Sequence, residues 1–208
     1  MLRIEVQGTL ARHFLMPNLP AFFAQHPEIE ISMSESDRWV DLVHEGVDCA
    51  LRWGELADSG LVARRLAVLT RITCASPAYV KRFGRAKTLQ DLDAGHQMVG
   101  LRRFTTGDLE PLSFFVDGKL HKLSLPAPFS VTGPESYLLA TRLGLGLAQM
   151  PHFHVAEDLK RGHLVALLTD SPPPSAPVSL MYAQNRQLSP RVRAFSDWLA
   201  RQFNKSDA

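Results

Sequence analysis

Two hundred and eight residues, 45% of them hydrophobic, can bury one substantial core or two small ones. With 23 Lys+Arg against 21 Asp+Glu the formal charge is +2, far from the concentrated basic surface of a nucleic-acid binder, so this chain alone is expected to bind DNA poorly. No apolar run is long enough to cross a bilayer, the Arg3-Ile4-Glu5-Val6 start lacks the apolar core of a secretion signal, and Cys49 and Cys74 lie in apolar stretches as buried free thiols would, so a cytoplasmic protein with no membrane partner is expected.

Leu2, Ile4 and Val6 alternate as in a half-buried strand, Gly8-Thr9 interrupts them, and Leu10, Phe14, Leu15, Leu19, Phe22 and Phe23 follow one helical face. Pro17 and Pro20 predict a kink or restart in that helix, because proline removes a donor and crowds the preceding turn. Ile29, Ile31 and Met33 predict a second strand. Ser34-Glu35-Ser36-Asp37 supplies N-cap chemistry for a helix carrying Trp39, Val40 and Val43 and ended by Gly46. Residues 47–53 read as a third strand, and strands joined by crossover helices imply a parallel sheet.

After a turn-rich 55–60, the stretch Leu61 to Ala75 alternates apolar residues with Arg and Thr and is long enough to leave one lobe and enter another. There the strand-helix grammar restarts. Ser76-Pro77 and Thr88-Leu89-Gln90-Asp91 predict two short helices around Gly84. A strand over 97–101, a hairpin turning at Asp117-Gly118, a strand over 129–132, a helix over 134–143 and a strand over 145–149 follow, repeating the parallel unit. A helix over 155–161 ended by Gly162 precedes a strand over 163–168. The cluster Pro172-Pro173-Pro174-Ser175 with Pro177 reads as the connection back. The strand 178–183 and a last helix, capped by Ser189 and striped by Val192, Phe195, Leu199 and Phe203, then close the chain, with Arg191, Arg193 and Arg201 left for solvent. The expected division is 1–75 with 178–208 as lobe I and 76–177 as lobe II.

Several stretches, in this order, resemble the effector-binding (substrate-binding) domain of LysR-type transcriptional regulators. They are Leu15-Met16-Pro17-Asn18-Leu19, the long segment Ser36-Asp37-Arg38-Trp39-Val40-Asp41-Leu42-Val43-His44-Glu45-Gly46-Val47-Asp48-Cys49-Ala50-Leu51-Arg52-Trp53-Gly54, Ala75-Ser76-Pro77-Ala78-Tyr79, Gly144-Leu145-Gly146-Leu147-Ala148, Gly162-His163-Leu164-Val165 and Ser189-Pro190-Arg191-Val192-Arg193-Ala194-Phe195. The resemblance implies an α/β, two-lobed, type 2 periplasmic-binding-protein-like fold with a mainly parallel sheet in each lobe. It also implies a small-molecule effector in the cleft between them, no cofactor, no catalysis, dimers and tetramers of the full-length protein, and DNA binding only through an amino-terminal winged helix-turn-helix that this chain does not carry. The first helix and the helix over 134–143 are the expected contributors to self-association. A free-standing solute-binding protein of the same fold, or a lyase or dehydratase built on it, is the alternative.

Ligands collect at the carboxyl ends of parallel strands, where helix N-termini present unpaired N–H groups. The candidate ligand-binding residues are therefore Gly8 and Thr9, Ser34, Ser36 and Asp37 in the first lobe, and Thr132, Gly133, Glu135 and Ser136 in the second, with Arg102 as a carboxylate clamp. The turn Thr132 to Ser136 stands where relatives often carry small polar residues such as Asn, Asp or Ser. Thr9 and Ser36 are expected to donate to a carboxylate or carbonyl, or else only to cap their helices; Glu135 faces either the cleft or solvent, and Arg102-Arg103 is either a clamp or a solvated pair. Arg52, within a strand, reads as a structural ion-pair residue. Gly144-Leu145-Gly146 resembles a dinucleotide fingerprint, but helix precedes it and strand follows, the reverse of phosphate cradling. His152 and His154 lack a third ligand at recognisable spacing, so no metal is expected.

Overall fold

The computed structural model describes residues 1–38, 41–54, 61–103, 106–183 and 189–206. The chain divides into two compact units, Met1–Leu69 with Ala176–Ala208, and Thr70–Ser175.

In unit 1 a five-stranded sheet runs in the order β2-β1-β3-β12-β4, from β1 (Leu2–Val6), β2 (Ile31–Glu35), β3 (Cys49–Trp53), β4 (Leu61–Leu69) and β12 (Ala176–Ala183). β1 pairs in parallel with β2 and β3, as the sequence predicts, whereas β12 runs antiparallel to both β3 and β4. Antiparallel pairing is the natural outcome for β4 and β12, because one carries the chain out of the unit and the other brings it back. β12 starts at Ala176, so Pro177 lies inside a strand; its neighbour Val178 is at a register shift, the kind of place where a sheet tolerates proline.

Helical structure follows β1 without a break from Gly8 to Gln25. It changes type three times, the last two beside prolines: α1 (Gly8–Leu10), a π segment Ala11–Leu15, a 3₁₀ turn Met16–Asn18 and α2 (Leu19–Gln25) with Pro20 in its first turn. This is the predicted restart. The last helix, α6 (Pro190–Ser206), starts on Ser189, whose Oγ accepts the Val192 N–H at 3.3 Å. Its predicted stripe is fully buried, and Trp198 joins it at 1% exposure. Phe14 stacks on Phe203 at 4.4 Å and Phe22 meets Trp198 at 4.9 Å between ring centroids. Burying five large apolar side chains contributes on the order of 10 kcal/mol, against about 0 to 1 kcal/mol for the exposed Arg64–Asp197 pair that also joins α6 to β4. Packing, not charge, holds α6 in place.

The helix expected after Ser36 does not form among the described residues. The segment 41–46 is a single turn capped by Asp41, whose Oδ1 accepts from Val43 N and His44 N, each at 3.1 Å. It ends at Gly46 with the Gly46 N to Val43 O and Val47 N to Leu42 O bonds of a Schellman motif. Asp41 outcompetes Ser36 as cap because its carboxylate takes two N–H groups at once. Trp39, Val40 and the turn expected at 55–60 lie outside the described residues.

Unit 2 holds β5 (Arg71–Ala75), β6 (Val99–Leu101), β7 (Leu112–Val116), β8 (Lys119–Leu123), β9 (Phe129–Val131), β10 (Ala148–Pro151) and β11 (Val165–Leu167). β5, expected in the first lobe, pairs antiparallel with β10 and β11 and belongs here. Among the described residues, parallel pairing in this unit is confined to β6–β9 and a bridge from Met98 to Leu147, so the expectation of a mainly parallel sheet does not hold here. The hairpin β7–β8 turns at Asp117 (φ 47°) and Gly118 (φ 75°), both left-handed as a type I′ turn requires. Helices α3 (Pro77–Phe83), α4 (Pro134–Arg142) and α5 (His152–Arg161) cover the strands. The caps foreseen at Ser76 and Thr88 form, the second opening a 3₁₀ turn, Gln90–Asp93. At Gly146 a Cβ would stand 2.3 Å from Val99 N, so the glycine serves backbone contact between strands, not a phosphate.

Two apolar clusters fill unit 2. One gathers Tyr79, Leu92, Met98, Phe114 and Leu147, the other Cys74, Tyr137, Leu138, Met150 and Val155.

Candidate functional site

In unit 1 the carboxyl end of β1 delivers Gln7, Gly8 and Thr9. Gln7 is the N-cap, yet its side chain caps nothing: Oε1 accepts Trp53 N–H at 2.6 Å and its own N–H reaches Leu51 O, pinning the end of β1 to the end of β3. The first helical bond is Ala11 N to Gln7 O at 2.9 Å. The N–H groups of Gly8, Thr9 and Leu10 therefore precede the helical ladder and point out of the helix start. Thr9 lies inside the first turn, half-buried, so it is not the cap of its helix.

The end of β2 supplies the second turn. Ser36 N–H donates to Val6 O at 3.2 Å, and Ser36 Oγ accepts Arg38 N–H at 3.0 Å in a local side-chain turn. Ser34 Oγ contacts Ile4 O at 3.4 Å, a weak structural bond. Beneath them the predicted Arg52 ion pair is present: Arg52 Nη2 meets Glu5 Oε1 at 2.5 Å, with the two side chains 7% and 2% exposed. Arg52 also donates to Ser36 O at 3.2 Å and Arg38 O at 3.0 Å, so one buried guanidinium fixes the whole 36–38 turn.

The charge around these turns is acidic. A Cβ on Gly8 would lie 3.0 Å from Glu35 Oε2, so the Glu35 carboxylate already sits against the helix start. Asp37 keeps a solvent-exposed face, but burial of the rest of the group raises its carboxyl above the usual range and Glu35 adds to this, against the pull of Arg52. With Glu5 neutralised by Arg52, two carboxylates remain at the rim. Glu35 and Asp37 therefore set an acidic charge beside the turns that carry Thr9 and Ser36.

In unit 2, β9 ends at Val131, Thr132 is exposed, and Gly133 is the N-cap of α4 with Glu135 and Ser136 exposed in its first turn. The strand-turn-helix arrangement is as expected. Arg102 is not presented as a clamp: its Nε donates to Ser130 Oγ at 2.9 Å and its Nη1 to Gly107 O at 2.8 Å, fastening a local turn to β9. Arg103 is exposed, 3.7 Å from Glu110.

Sequence reasoning missed a polar network behind these turns. Gln149 is 4% and Thr73 1% exposed. Gln149 Nε2 donates to Thr73 Oγ1 at 3.1 Å and Ser113 O at 2.9 Å, Oε1 accepts Ser113 N–H at 2.9 Å, and Gln149 N–H donates to the Tyr137 hydroxyl at 3.2 Å. The available signal was a glutamine inside the apolar run Leu147-Ala148-Gln149-Met150.

His152 and His154 stand two apart on α5, where side chains point to nearly opposite faces; His152 is exposed and His154 buried. Among the described residues there is no group of three His, Cys, Asp or Glu able to hold a metal. Both cysteines are buried and free, and burial pushes each thiol up to about 12, the opposite of a reactive thiolate. No helix among the described residues is long and apolar enough to cross a membrane.

Known proteins are similar to this chain in sequence and in fold. The HTH-type transcriptional regulator YhjC of Escherichia coli K12, itself uncharacterised, is 38% identical over 202 residues, which is 96% of this chain and 66% of the regulator. The HTH-type transcriptional regulator DmlR of the same organism is 32% identical over 209 residues, 98% of this chain and 65% of its own length. The chain thus spans just under two thirds of the length of these relatives. In structure, the regulatory domain of CrgA, a LysR-type transcriptional regulator from Neisseria meningitidis, superposes with a TM-score of 0.83 at 28% identity, covering 97% of this chain and 98% of that domain. The full-length Vibrio cholerae virulence activator AphB gives 0.77 at 25% identity, with 96% of this chain and 67% of AphB covered. These matches give the fold as the type 2 periplasmic-binding-protein-like α/β fold. The family described as the LysR substrate binding domain matches residues 1–204, and the chain belongs to it.

Proposed function

We propose that this chain is the sensing part of a cytoplasmic transcriptional regulator: it binds a small polar organic effector and thereby controls how a homo-oligomer presents winged helix-turn-helix domains to DNA. It catalyses nothing and needs no cofactor. The observation that carries this reading is the pair of turns at the ends of β1 and β2, where the N–H groups of Gly8, Thr9 and Leu10 and the Ser36-Asp37 turn are held by Gln7 and by the buried Glu5–Arg52 pair. Such a rigid polar rim on a parallel sheet is a ligand-binding arrangement. Thr9, Ser36 and Asp37 are the first-unit contacts, with Gly8 allowing close approach and Ser34 supporting. In unit 2 the Thr132-Gly133 turn with Glu135 and Ser136 is the corresponding surface, and Arg102 supports it by fixing the end of β9.

An effector changes DNA binding by favouring one quaternary arrangement over another, and it can shift that equilibrium only by its difference in affinity for the two. A thermal-shift screen on this chain should yield a compound that stabilises the fold by about 2.7 kcal/mol at 100 times its dissociation constant. Calorimetry on Thr9→Ala and Ser36→Ala then tests the site. Each loses about 0.5 to 1.5 kcal/mol of binding free energy if the hydroxyls bond a neutral group. Unchanged affinity in both variants would move the ligand away from these turns.

A further inference from the structure

We propose that the outer edge of the β7–β8 hairpin is a docking site for an acidic, extended segment of a partner protein, which adds to β8 as a third strand. The inference goes beyond the effector reading and uses none of the residues assigned to that ligand.

The hairpin is bonded along one edge. Its two-residue turn at Asp117-Gly118 makes Val116 and Lys119 the closing hydrogen-bonded pair, so the pairs Phe115–Leu120 and Ser113–Lys122 turn their N–H and C=O groups outward. On β7 these outward positions are engaged. Phe115 N–H donates to Pro172 O at 2.9 Å, and Ser113 gives its N–H to Gln149 Oε1 and accepts from Gln149 Nε2, each at 2.9 Å. On β8 the matching groups of Leu120 and Lys122 face an open edge: among the described residues no strand pairs with β8 on that side, and residues 119–122 are exposed. An unpaired edge is a template for an added strand.

The side chains along this edge set the partner's chemistry. Phe115 and Leu120 stand opposite each other on the outer face of the hairpin and are 48% and 50% exposed. Lysines alone would serve to blunt an edge, but an exposed apolar pair beside them offers contact to an incoming side chain. The charge is basic, with Lys119, His121 and Lys122 on β8 against Asp117 in the turn. On its other face the hairpin packs Leu112 and Phe114 into the same apolar cluster as Phe83 and Ala86. The segment 77–90 that carries those two holds Lys81, Arg82, Arg85 and Lys87, all exposed, and no acidic residue. A strand alternating apolar and acidic residues satisfies both features, setting one face on Phe115 and Leu120 and its carboxylates near the cations.

The test is fluorescence anisotropy of the whole chain with three end-capped, fluorescein-labelled peptides: alternating Glu and Val, alternating Lys and Val, and the Glu-Val peptide with alternate backbone nitrogens methylated. The wild type binds the acidic peptide better than either of the others. Leu120→Pro removes an outward N–H that the hairpin ladder does not use, as proline on an edge strand is tolerated to do, and weakens the acidic peptide by about two- to tenfold relative to Leu120→Ala. Replacing Lys119 and Lys122 together by Gln narrows the difference between the acidic and basic peptides. No binding of the acidic peptide at millimolar concentration, or equal affinity for the two charges, overturns the proposal. So does equal affinity for the methylated peptide, which would mean attraction by charge alone. These comparisons use the wild type and hold even where the proline variant fails to fold. Affinity unaltered by both the proline and the double lysine variants would put the peptide on another edge and overturns it as well.

Discussion

The two units hold their buried polar groups in place in different ways. In unit 1, Arg52 is paired one to one with Glu5 and its other donors go to backbone carbonyls, so its charge is spent on architecture and the rim above it is left acidic by Glu35 and Asp37. In unit 2 the buried polar groups are neutral: the Gln149 side chain is closed on Thr73 and Ser113, and the Gln149 N–H donates to the Tyr137 hydroxyl. A buried charge pair contributes little net stability, but breaking it leaves an uncompensated charge and is costly; breaking a neutral network leaves unpaired but uncharged groups and costs less. The two units thus fix a buried polar cluster by charge in one case and by neutral hydrogen bonds in the other.

Removing one partner of the unit 1 pair is the largest expected effect. Glu5→Ala leaves Arg52 buried without its carboxylate and should cost about 3 to 5 kcal/mol, measured by urea denaturation, whereas Gln149→Leu in unit 2 should cost about 1 to 3 kcal/mol. Equal losses would erase the contrast between a charged and a neutral buried network. Next is Gly146→Ala, where the new Cβ would stand 2.3 Å from Val99 N and 2.4 Å from Met98 C. Backbone has to move, so a loss of about 3 kcal/mol is expected, and a cost below about 1 kcal/mol would mean that the β6 contact is looser than described.

A pH effect separates the units further. His96 in unit 2 is 3% exposed. Its Nδ1 lies 2.9 Å from the Tyr79 hydroxyl, which is also 3.0 Å from Gln97 O. Burial lowers the pKa of His96, only partly offset by Asp91. The unfolded chain therefore binds a proton first, and the stability due to neutral His96 is present above the ordinary pKa of about 6.5 and lost as pH falls through the lowered value. The melting temperature should fall between pH 7 and pH 5 in the wild type and less steeply in His96→Gln. Parallel slopes would exclude His96 as the cause. Smallest of all, Asp41→Ala removes the cap of the 41–46 turn and should cost about 1 kcal/mol, visible as a melting shift of a few degrees; no shift would return the capping role to Ser36.

The strongly periodic or chemically punctuated pieces were legible in the sequence. The Pro17 and Pro20 restart, the Asp117-Gly118 hairpin, the Ser76 and Ser189 caps and the α6 stripe each follow from local stereochemistry, and each forms. What escaped depends on distant partners. The strand 71–75 reads as a continuation of 61–69, and only its pairing with β10 and β11 places it in unit 2. Ser36 and Asp41 are both competent caps; Asp41 caps the turn by accepting two N–H groups, while Ser36 O is held by Arg52. At the site, the turn positions of Gly8, Thr9 and Ser36 were readable from the strand-turn pattern, but the charge around them was not, since Glu35 reaches Gly8 only through the fold. The Gln149 network gave only a faint local signal, because its partners Thr73, Ser113 and Tyr137 are 76, 36 and 12 residues away in sequence.

The most direct test of the sensing site is amide hydrogen exchange with and without the effector found by screening. The N–H groups of Gly8, Thr9 and Leu10 precede the helical ladder, and a ligand at the unit 1 rim has to cover them. Their exchange should slow when the effector binds, as should that of residues 36 to 38, while the centre of β3 stays unchanged. Slowed exchange confined to other parts of the chain, with Gly8 to Leu10 exchanging as fast as in the free protein, would contradict the account.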